Sequence, residues 1–299
     1  GSESKYLNLR FHEGDRIRIA NTLRTEQTPD FTDNGKHYEY ARGEEVWTDG
    51  QYYVKYAFNP YNQNGFRWSD LKLNGNTYVL EAAFYPVDYD PSFFDGNTVP
   101  QEQNTPEILK KSDLLLAHHL KHFTEWGNEI ELKFRHVFSL VYTSLTVPIY
   151  DTATGTGFLR PNSADDHPKG CLTNLRTYFS VNYRASISSD GIISVRADHE
   201  KPLVDEITMC PASYTIDEEK QEITYKYLVI IPTQAIDYTG TLPLHRFYLK
   251  DKDGNIKKYR FVPRETPIVL EQGKMTQISL TLPRKSTDAI LLSASIVPW

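Results

Sequence analysis

Three histidines late in the first half of the chain form the most metal-like cluster in the sequence: His118, His119 and His122. On a helix, His118 and His122 would share a face, as two zinc ligands can. On a strand they would not meet in that way. The glutamate of the zinc-protease motif is missing between them, and a third ligand would have to come from elsewhere. We therefore favour a solvated polar segment and predict no metal site.

Two acidic patterns could also do chemistry, but ordinary turns and strands account for them. Asp251 and Asp253 before Gly254 resemble the opening of a calcium loop, without the closing glutamate and flanking helices of an EF-hand. A hairpin turn in which Gly254 takes a positive φ explains the same residues. Glu129 and Glu131 alternate along one run and could imitate a glycosidase pair. A hydrolase needs a defined carboxyl separation across a cleft, and nothing in the sequence argues for one.

The candidate base and the two thiols lack a recognisable catalytic context. His136 lies in a Phe-x-His pattern, and no serine or cysteine in a nucleophile elbow accompanies it. We therefore predict that the protein is not an enzyme and has no catalytic residues and no cofactor. Cys171 and Cys210 could form a disulfide in an exported protein. Sequence does not show whether their Cα atoms lie within bridging distance, so paired and free thiols both stay open.

Composition favours strands over helices and argues against two classes of partner. The chain has 20 Tyr, 14 Phe, 17 Pro and 16 Gly, residues that suit strands and turns. The net charge is −6, and the basic residues are scattered rather than gathered into a stripe, so we predict no nucleic-acid partner. No apolar run approaches the ~18 residues that a membrane-spanning helix needs.

Short strand-like runs separated by turn residues predict an all-β protein. Glu222–Ile231 is a long run, and Glu129–Phe134 and Val137–Ile149 read as two further extended stretches. Asn74-Gly75 and Asp253-Gly254 each lie between two such runs. These dipeptides favour hairpins because both of their residues tolerate positive φ.

Two segments determine the predicted domain organisation. Pro106–Phe123 fits either an amphipathic helix or a short buried strand, which periodicity alone does not separate. Asp151–Gly170 is rich in turn residues and poor in core residues, as a domain boundary or a long surface loop would be. It predicts two domains, residues 3–158 and residues 159–299.

Six segments occur in an order that resembles the fimbrillin-like family of Bacteroidales surface proteins, which includes the type V pilins. They are Glu13–Ile17, Ala82–Pro86, Ser112–Ala117, Leu132–Leu140, Leu228–Gln234 and Leu270–Lys274. The resemblance implies two tandem transthyretin-like (Greek-key) β-sandwich domains with few short helices. It also implies that Asp113–Ala117 is extended, against the helical interpretation.

The resemblance further implies a function at the outer-membrane surface or in a fimbria. We expect a structural or adhesive pilus subunit, or a tip-associated surface protein, that pairs with other subunits or with itself by β-strand exchange. A host or bacterial receptor or a glycan is a further expected partner. The membrane would be reached only through an N-terminal lipid anchor that lies outside this sequence. A glycan-binding surface lipoprotein is the alternative, and a β-sandwich hydrolase is a more distant one.

The C-terminal run is apolar and uncharged, and two interpretations stay open for it. It could be the last core strand of the second domain, which we favour, or a strand donated to a neighbouring subunit, where backbone hydrogen bonds give affinity and alternate side chains fill pockets. The candidate donor-strand residues are Ala289, Ile290, Leu291, Leu292, Ile296, Val297 and Trp299.

Overall fold

The protein is described by a computed structural model, and strands predominate in it, which confirms the predicted all-β class. A single α-helix, α1 (Pro106–Ser112), and three short 3-10 helices (Tyr61–Gln63, Trp68–Asp70 and Ala164–Asp166) accompany the strands within the described residues. The residues described are 11–21, 36–48, 50–71, 73–74, 77–84, 98–122, 130–173, 180–187, 193–198, 200, 206–236, 243–263, 268–284 and 288–298.

The first half forms a seven-stranded antiparallel sheet. Its strands are β1 (Arg16–Asn21), β2 (Lys36–Thr48), β3 (Gln51–Pro60), β4 (Leu73–Asn74), β5 (Thr77–Phe84), β6 (Leu115–His122) and β7 (Arg135–His136). The order is β3-β2-β1-β5-β6-β7, and β4 pairs with β5 across the predicted Asn74-Gly75 turn. Ile17, Ile19, Leu80 and Ala117 form its small buried cluster. Alternation along β1 places Ile17 and Ile19 on the same, inward face.

The ambiguous segment Pro106–Phe123 divides into a helix and a strand. The Thr105 hydroxyl caps α1 by accepting a hydrogen bond from the Ile108 backbone nitrogen at 3.3 Å, and Pro106 stands at the first helical position. The helix ends at Ser112, and β6 begins at Leu115. Each interpretation is therefore right for one part of the segment, and Phe123 lies outside the described residues.

One predicted strand is wrong. Residues 130–134 of the Glu129–Phe134 run lie in no strand, although their exposure alternates as predicted. Ile130, Leu132 and Phe134 pack against the first-sheet cluster. The alternation of apolar residues therefore predicted correctly which side chains turn inward. It did not predict a strand correctly, because this backbone pairs with no neighbouring strand in the described parts of the chain.

The second half contains a nine-stranded sheet and two two-stranded sheets. The order in the large sheet is β12-β9-β16-β17-β20-β19-β8-β14-β13, and β10 pairs with β11 and β15 with β18. Strand β14 has the bounds predicted from the sequence, and β16–β17 is the predicted hairpin. The strands are β8 (Ser139–Pro148), β9 (Lys169–Thr173), β10 (Tyr183–Ile187), β11 (Ile193–Ala197), β12 (Glu206–Thr208), β13 (Cys210–Asp217), β14 (Glu222–Ile231), β15 (Gln234–Ile236), β16 (His245–Lys250), β17 (Ile256–Phe261), β18 (Ile268–Leu270), β19 (Lys274–Thr281) and β20 (Asp288–Pro298).

The two ends of the nine-stranded sheet meet, so the sheet folds over on itself. The end strands β12 and β13 are separated in sequence only by Met209. The Thr143 hydroxyl on β8 lies 3.0 Å from Nε2 of His245 on β16, which links the two facing halves through the core. Gly170 on β9 also packs closely against the facing half of the sheet. A Cβ atom there would stand 2.7 Å from Cε1 of Tyr227 on β14, so no larger residue fits without displacement.

Strand β8 bears on the predicted domain boundary. It lies before residue 158, yet it pairs with β14 on one side and with β19 on the other, both in the second half. The turn-rich segment Asp151–Gly170 thus connects two strands of one sheet, β8 and β9. We propose a division before β8, at about residue 138, because a domain boundary is expected where few contacts cross. The tandem arrangement of two transthyretin-like domains stays a prediction.

Candidate functional site

The C-terminal strand β20 is built into the chain's own second sheet. It pairs antiparallel with β19, from Lys274 opposite Pro298 to Thr281 opposite Ile290, with a bulge between Ser279 and Leu280. Its apolar, β-branched sequence suits a strand. The run is thus a strand of its own chain's sheet, whereas residues 293–296 are exposed and do not belong to the buried core.

The other edge of β20 is mostly open. Strand β17 pairs with it in parallel only at Asp288 and Ala289. An ion pair between Arg260 Nε and Asp288 Oδ1, at 2.8 Å, fastens this first part. From residue 290 to residue 298, no strand among the described parts of the chain pairs with this edge. A row of backbone donors and acceptors on an open edge can accept another strand.

Apolar side chains are exposed beside this open edge. Ile296 is 41% exposed, whereas its cross-strand partner Thr276 on β19 is 1% exposed. Thr276 in turn donates a hydrogen bond from its hydroxyl to the Val269 carbonyl at 3.1 Å, and the Val269 side chain is 39% exposed. Ile296 and Val269 therefore flank one buried threonine. The second sheet is covered at β19 and left uncovered at the end of β20.

The predicted donor-strand residues fall into three groups. Ile296 is exposed, and Val297 is partly buried. Ala289, Ile290 and Leu291 pair with neighbouring strands, and Leu292 lies at the bulge of β20. Trp299 lies outside the described residues. Since the strand is paired within its own chain here, donation to a neighbour stays a prediction.

Two of the segments behind the family resemblance meet at a buried carboxylate. Asp113, just after α1, is 3% exposed, and its Oδ1 atom lies 2.9 Å from Nδ1 of His136 on β7. Burial raises the pKa of Asp113, and the contact with His136 opposes that rise. His136 thus has the packed, hydrogen-bonded role expected of a strand residue.

A third such segment reaches the same helix. Gly14 takes a positive φ of 89°, and the Asp15 carboxylate accepts a hydrogen bond from the His12 backbone nitrogen at 2.7 Å. The other carboxylate oxygen of Asp15 lies 3.0 Å from Nζ of Lys110 on α1. The Gly-Asp start of β1 therefore fixes the turn before the strand and connects it to the helix.

Two buried glutamines act as substitutes for strand backbone, and sequence reasoning did not single them out for this role. Gln103 is fully buried; its amide donates to the Ile230 carbonyl and accepts from the Ile230 nitrogen, both at 2.8 Å. Gln234 accepts from the Ser180 nitrogen at 2.7 Å and donates to the Ser180 carbonyl at 2.9 Å. Each amide pairs with one residue as an antiparallel neighbour would. Flanking prolines, Pro100 and Pro232, are the only local signal.

The histidine cluster lies on a strand, which removes the helical geometry that a zinc site would use. His118, His119 and His122 all belong to β6. At about 3.3 Å per residue, the Cα atoms of His118 and His122 are about 13 Å apart. Across the described residues, no group of three histidine, cysteine or acidic side chains is arranged to hold a metal ion.

The acidic loop at Asp251 has the structure of a hairpin turn. The Oδ1 atom of Asp251 accepts hydrogen bonds from the Asp253 and Asn255 backbone nitrogens, each at 2.9 Å. Its Oδ2 atom lies 3.0 Å from Nζ of Lys257, and Gly254 takes a positive φ of 80°. A lysine ammonium therefore occupies the side of the carboxylate that a cation would need.

Both cysteines are buried free thiols, so no disulfide joins them in this structure. Cys171 lies on β9, and its sulfur is 4.0 Å from the Thr208 hydroxyl. Burial raises the pKa of Cys171 to about 11 and that of Cys210 to about 12. Thiols in this state are poor nucleophiles because the thiolate is the reactive form.

Comparison with models of known protein families shows to which family this chain belongs. The model of the family described as fimbrillin-like matches residues 6–299. The chain belongs to the fimbrillin-like family. Its membership confirms the resemblance seen in the sequence and implies a location at the cell surface or outside the cell. No helix in the described ranges is long and apolar enough to cross a membrane. A search of curated proteins found no match.

Two solved structures with TM-scores above 0.5 share the fold of this fimbrillin-like chain. A candidate cell adhesion protein from Bacteroides uniformis has 14% identity and a TM-score of 0.55, covering 97% of this chain and 93% of that chain. A candidate cell adhesion protein from Bacteroides ovatus has the same identity and TM-score, covering 97% and 88%. The C-terminally truncated tip fimbrial protein Mfa3 from Porphyromonas gingivalis has 9% identity and a TM-score of 0.40, covering 96% and 95%.

Proposed function

We propose that this protein is a structural or adhesive subunit of a fimbria, or a surface protein at its tip, and that it joins its neighbours by β-strand addition. Membership of the fimbrillin-like family supports the setting. The observation that carries the mode of joining is the edge of β20 from residue 290 to residue 298, with which no strand among the described residues pairs, together with the exposed Ile296 on that strand.

Strand addition suits these features for a physical reason. An added strand satisfies the unpaired backbone groups of the edge, and its alternate side chains cover exposed apolar surface. Leaving such an edge uncovered invites uncontrolled aggregation, which sheet proteins commonly prevent with charges or prolines on the edge. Residues 293–297 carry neither a charge nor a proline. A partner strand would therefore complete the sheet.

The finer parts of the proposal concern partners and attachment. The partners are other fimbrial subunits or a second copy of this chain, and a surface receptor or a glycan is a further partner. The role is non-catalytic. Attachment to the outer membrane would use an N-terminal lipid anchor. These elements rest on the family resemblance and, for the partner strand, on the open edge of β20.

The edge is tested by placing a charge on it. Ile296→Lys puts a lysine where an added strand would pack, at a site already exposed and therefore safe for folding. Self-association of the full chain, measured by light scattering over a range of concentrations, should weaken about tenfold or more. Leu73→Lys is the matched control, because Leu73 is 44% exposed on β4, which belongs to the other sheet.

Donation by the tail needs a separate experiment. A fluorescent peptide of residues 286–299 is titrated against the full chain and against a chain lacking those residues. Uptake of the peptide by the shortened chain, together with reduced assembly of that chain, supports a donated tail. Equal assembly by both chains removes the tail as donor. Because the shortened chain also lacks residues 290–298, its equal assembly would overturn the proposed edge as well, and unchanged assembly of Ile296→Lys would do the same.

A further inference from the structure

A groove that shares no residue with β20 lies between the loop that precedes β9 and the β16–β17 hairpin. It encloses about 480 Å³, within the range of ligand sites, and is partly open to solvent. The loop residues 158–168 form one wall, and Tyr248, Gly254 and Ile256 lie on the other. Tyr225 of β14 lies at the inner side and is almost fully buried.

The loop wall is held in place by hydrogen bonds and ion pairs of its own residues. Arg160 forms a two-pronged ion pair with Glu218, at 2.5 and 2.7 Å. Asp166 accepts a hydrogen bond from Nζ of Lys250 at 3.2 Å, and its other oxygen accepts from the Asn162 backbone nitrogen at 3.0 Å. The wall is therefore ordered before any ligand arrives, which lowers the entropic cost of binding.

Four polar groups of the lining make no hydrogen bond to any described residue. They are the side-chain amide of Asn162, the carboxylate of Asp165 and the hydroxyls of Tyr225 and Tyr248. Burial raises the pKa of Tyr225 to about 12, so its hydroxyl stays protonated and can donate. Together the four supply donors and acceptors in one concave place, beside neutral apolar surface from Leu159 and Ile256, which are 40% and 65% exposed.

The charges of the groove select the kind of ligand. Its three cations are each paired: Arg160 with Glu218, Lys250 with Asp166, and Lys169 with Glu206 at 3.5 Å. An anionic ligand would have to compete with these carboxylates. Burial lowers the pKa of His167, whose ring contacts that of Tyr225 with centroids 5.2 Å apart, so this ring favours the neutral form. The free groups thus match a neutral, many-hydroxyl ligand with a C–H face.

We propose that this groove binds a neutral sugar. The Asp165 carboxylate and the Asn162 amide bind its hydroxyls, and Leu159 and Ile256 cover its C–H surface. The Tyr225 hydroxyl adds a hydrogen bond from the inner side and the Tyr248 hydroxyl adds one from the hairpin wall. The site is independent of strand addition at β20, since it shares no residue with that edge. It provides a chemical basis for the attachment of an adhesive subunit to glycans.

The test uses saturation-transfer NMR on the full chain with a panel of free sugars at millimolar concentration. The neutral panel is glucose, galactose, mannose, fucose and N-acetylglucosamine; N-acetylneuraminic acid and glucosamine are the anionic and cationic arms. At least one neutral sugar should receive magnetisation and compete for one site. Asp165→Ala and Asn162→Ala should each weaken its affinity about tenfold, the loss expected for one hydrogen bond to a charged or well-placed group.

Glu219→Ala is the control, because Glu219 is exposed and lies outside the groove, and it should bind as the parent does. Asp165 is exposed and makes no hydrogen bond to a described residue, so its variant should fold normally, which circular dichroism checks. Absence of transfer to every neutral sugar overturns the proposal. So does a preference for a charged sugar, or unchanged affinity in both groove variants. Assembly of Asp165→Ala should equal that of the parent, so failure here leaves the β20 proposal standing.

Discussion

Nδ1 of His136 lies 2.9 Å from Oδ1 of Asp113, which makes one structural unit from two segments far apart in sequence. The backbone reinforces it, since the Val137 nitrogen donates to the Leu114 carbonyl at 3.0 Å. Leu114 and Val137 belong to the large buried cluster of the second half, whereas β6 and β7 belong to the first sheet. The pair therefore stands where the two sheet systems join.

Replacing Asp113 by asparagine should change how stability depends on pH. Burial raises the pKa of Asp113 in the folded state, so folding favours the protonated form. The stability that this carboxyl contributes is complete below its unfolded pKa of about 3.9 and is lost as pH rises through the folded pKa. Asparagine has no such loss, so Asp113→Asn should gain in melting temperature over the parent from pH 4 to pH 7. A relative loss over that window would show that the ion pair with His136 outweighs burial.

Removing the Gln103 amide should be strongly destabilising. Gln103→Ala leaves both backbone groups of Ile230 unpaired in a buried place, and each such group costs about 1–3 kcal/mol. We expect a loss of about 2–5 kcal/mol in the free energy of unfolding, measured by urea denaturation. Gln101→Ala is the control, because Gln101 is exposed two residues away. Similar stability of the two variants would contradict the role assigned to the amide.

Removing the Tyr227 hydroxyl should have the opposite effect. This oxygen is buried and makes no hydrogen bond to any described residue. A buried hydroxyl without a partner is unfavourable, so Tyr227→Phe should raise the free energy of unfolding by about 1 kcal/mol. Thr143→Val provides the contrast in the same core. It breaks the hydrogen bond to His245 and should lower stability by about 1 kcal/mol. Destabilisation by Tyr227→Phe would mean that the hydroxyl has a partner in solution.

The two thiols should be unreactive until the protein unfolds. With the pKa of Cys171 near 11, about one thiol in a thousand is ionised at pH 8, and burial blocks access as well. Iodoacetamide should therefore modify neither Cys171 nor Cys210 in the native protein and both in guanidinium, as mass spectrometry would show. A reducing agent should leave the melting temperature unchanged. A drop on reduction, or a missing pair of thiols after unfolding, would reveal a disulfide.

Local patterns predicted local structure well. Strand β14 matches the Glu222–Ile231 run because strand-forming residues continue through it without a turn residue and Pro232 cannot extend the ladder. The β16–β17 hairpin follows from Asp253-Gly254. The division of Pro106–Phe123 could also have been found, since Thr105 before Pro106 is a helix-start signal.

The pairing of strands that are distant in sequence could not be predicted from local patterns. Strand β8 was found as an extended stretch, but its parallel neighbour β19 is more than a hundred residues away, and nothing local indicates that partner. The buried amides of Gln103 and Gln234 look like surface residues by type, and only the backbone they meet explains their burial. The open edge of β20 likewise depends on where β17 stops pairing, which is a property of the assembled sheet.

The register of β20 also determines how this chain would bear a load. Because β20 lies antiparallel to β19 along its length, tension applied at Pro298 along the strand axis strains all the intervening rungs at once. The same tension applied sideways would peel the rungs apart one after another, beginning at Lys274. Strand β19 passes the load to β8 through a second continuous ladder. A filament that pulls lengthwise on this strand would therefore meet its greatest mechanical resistance.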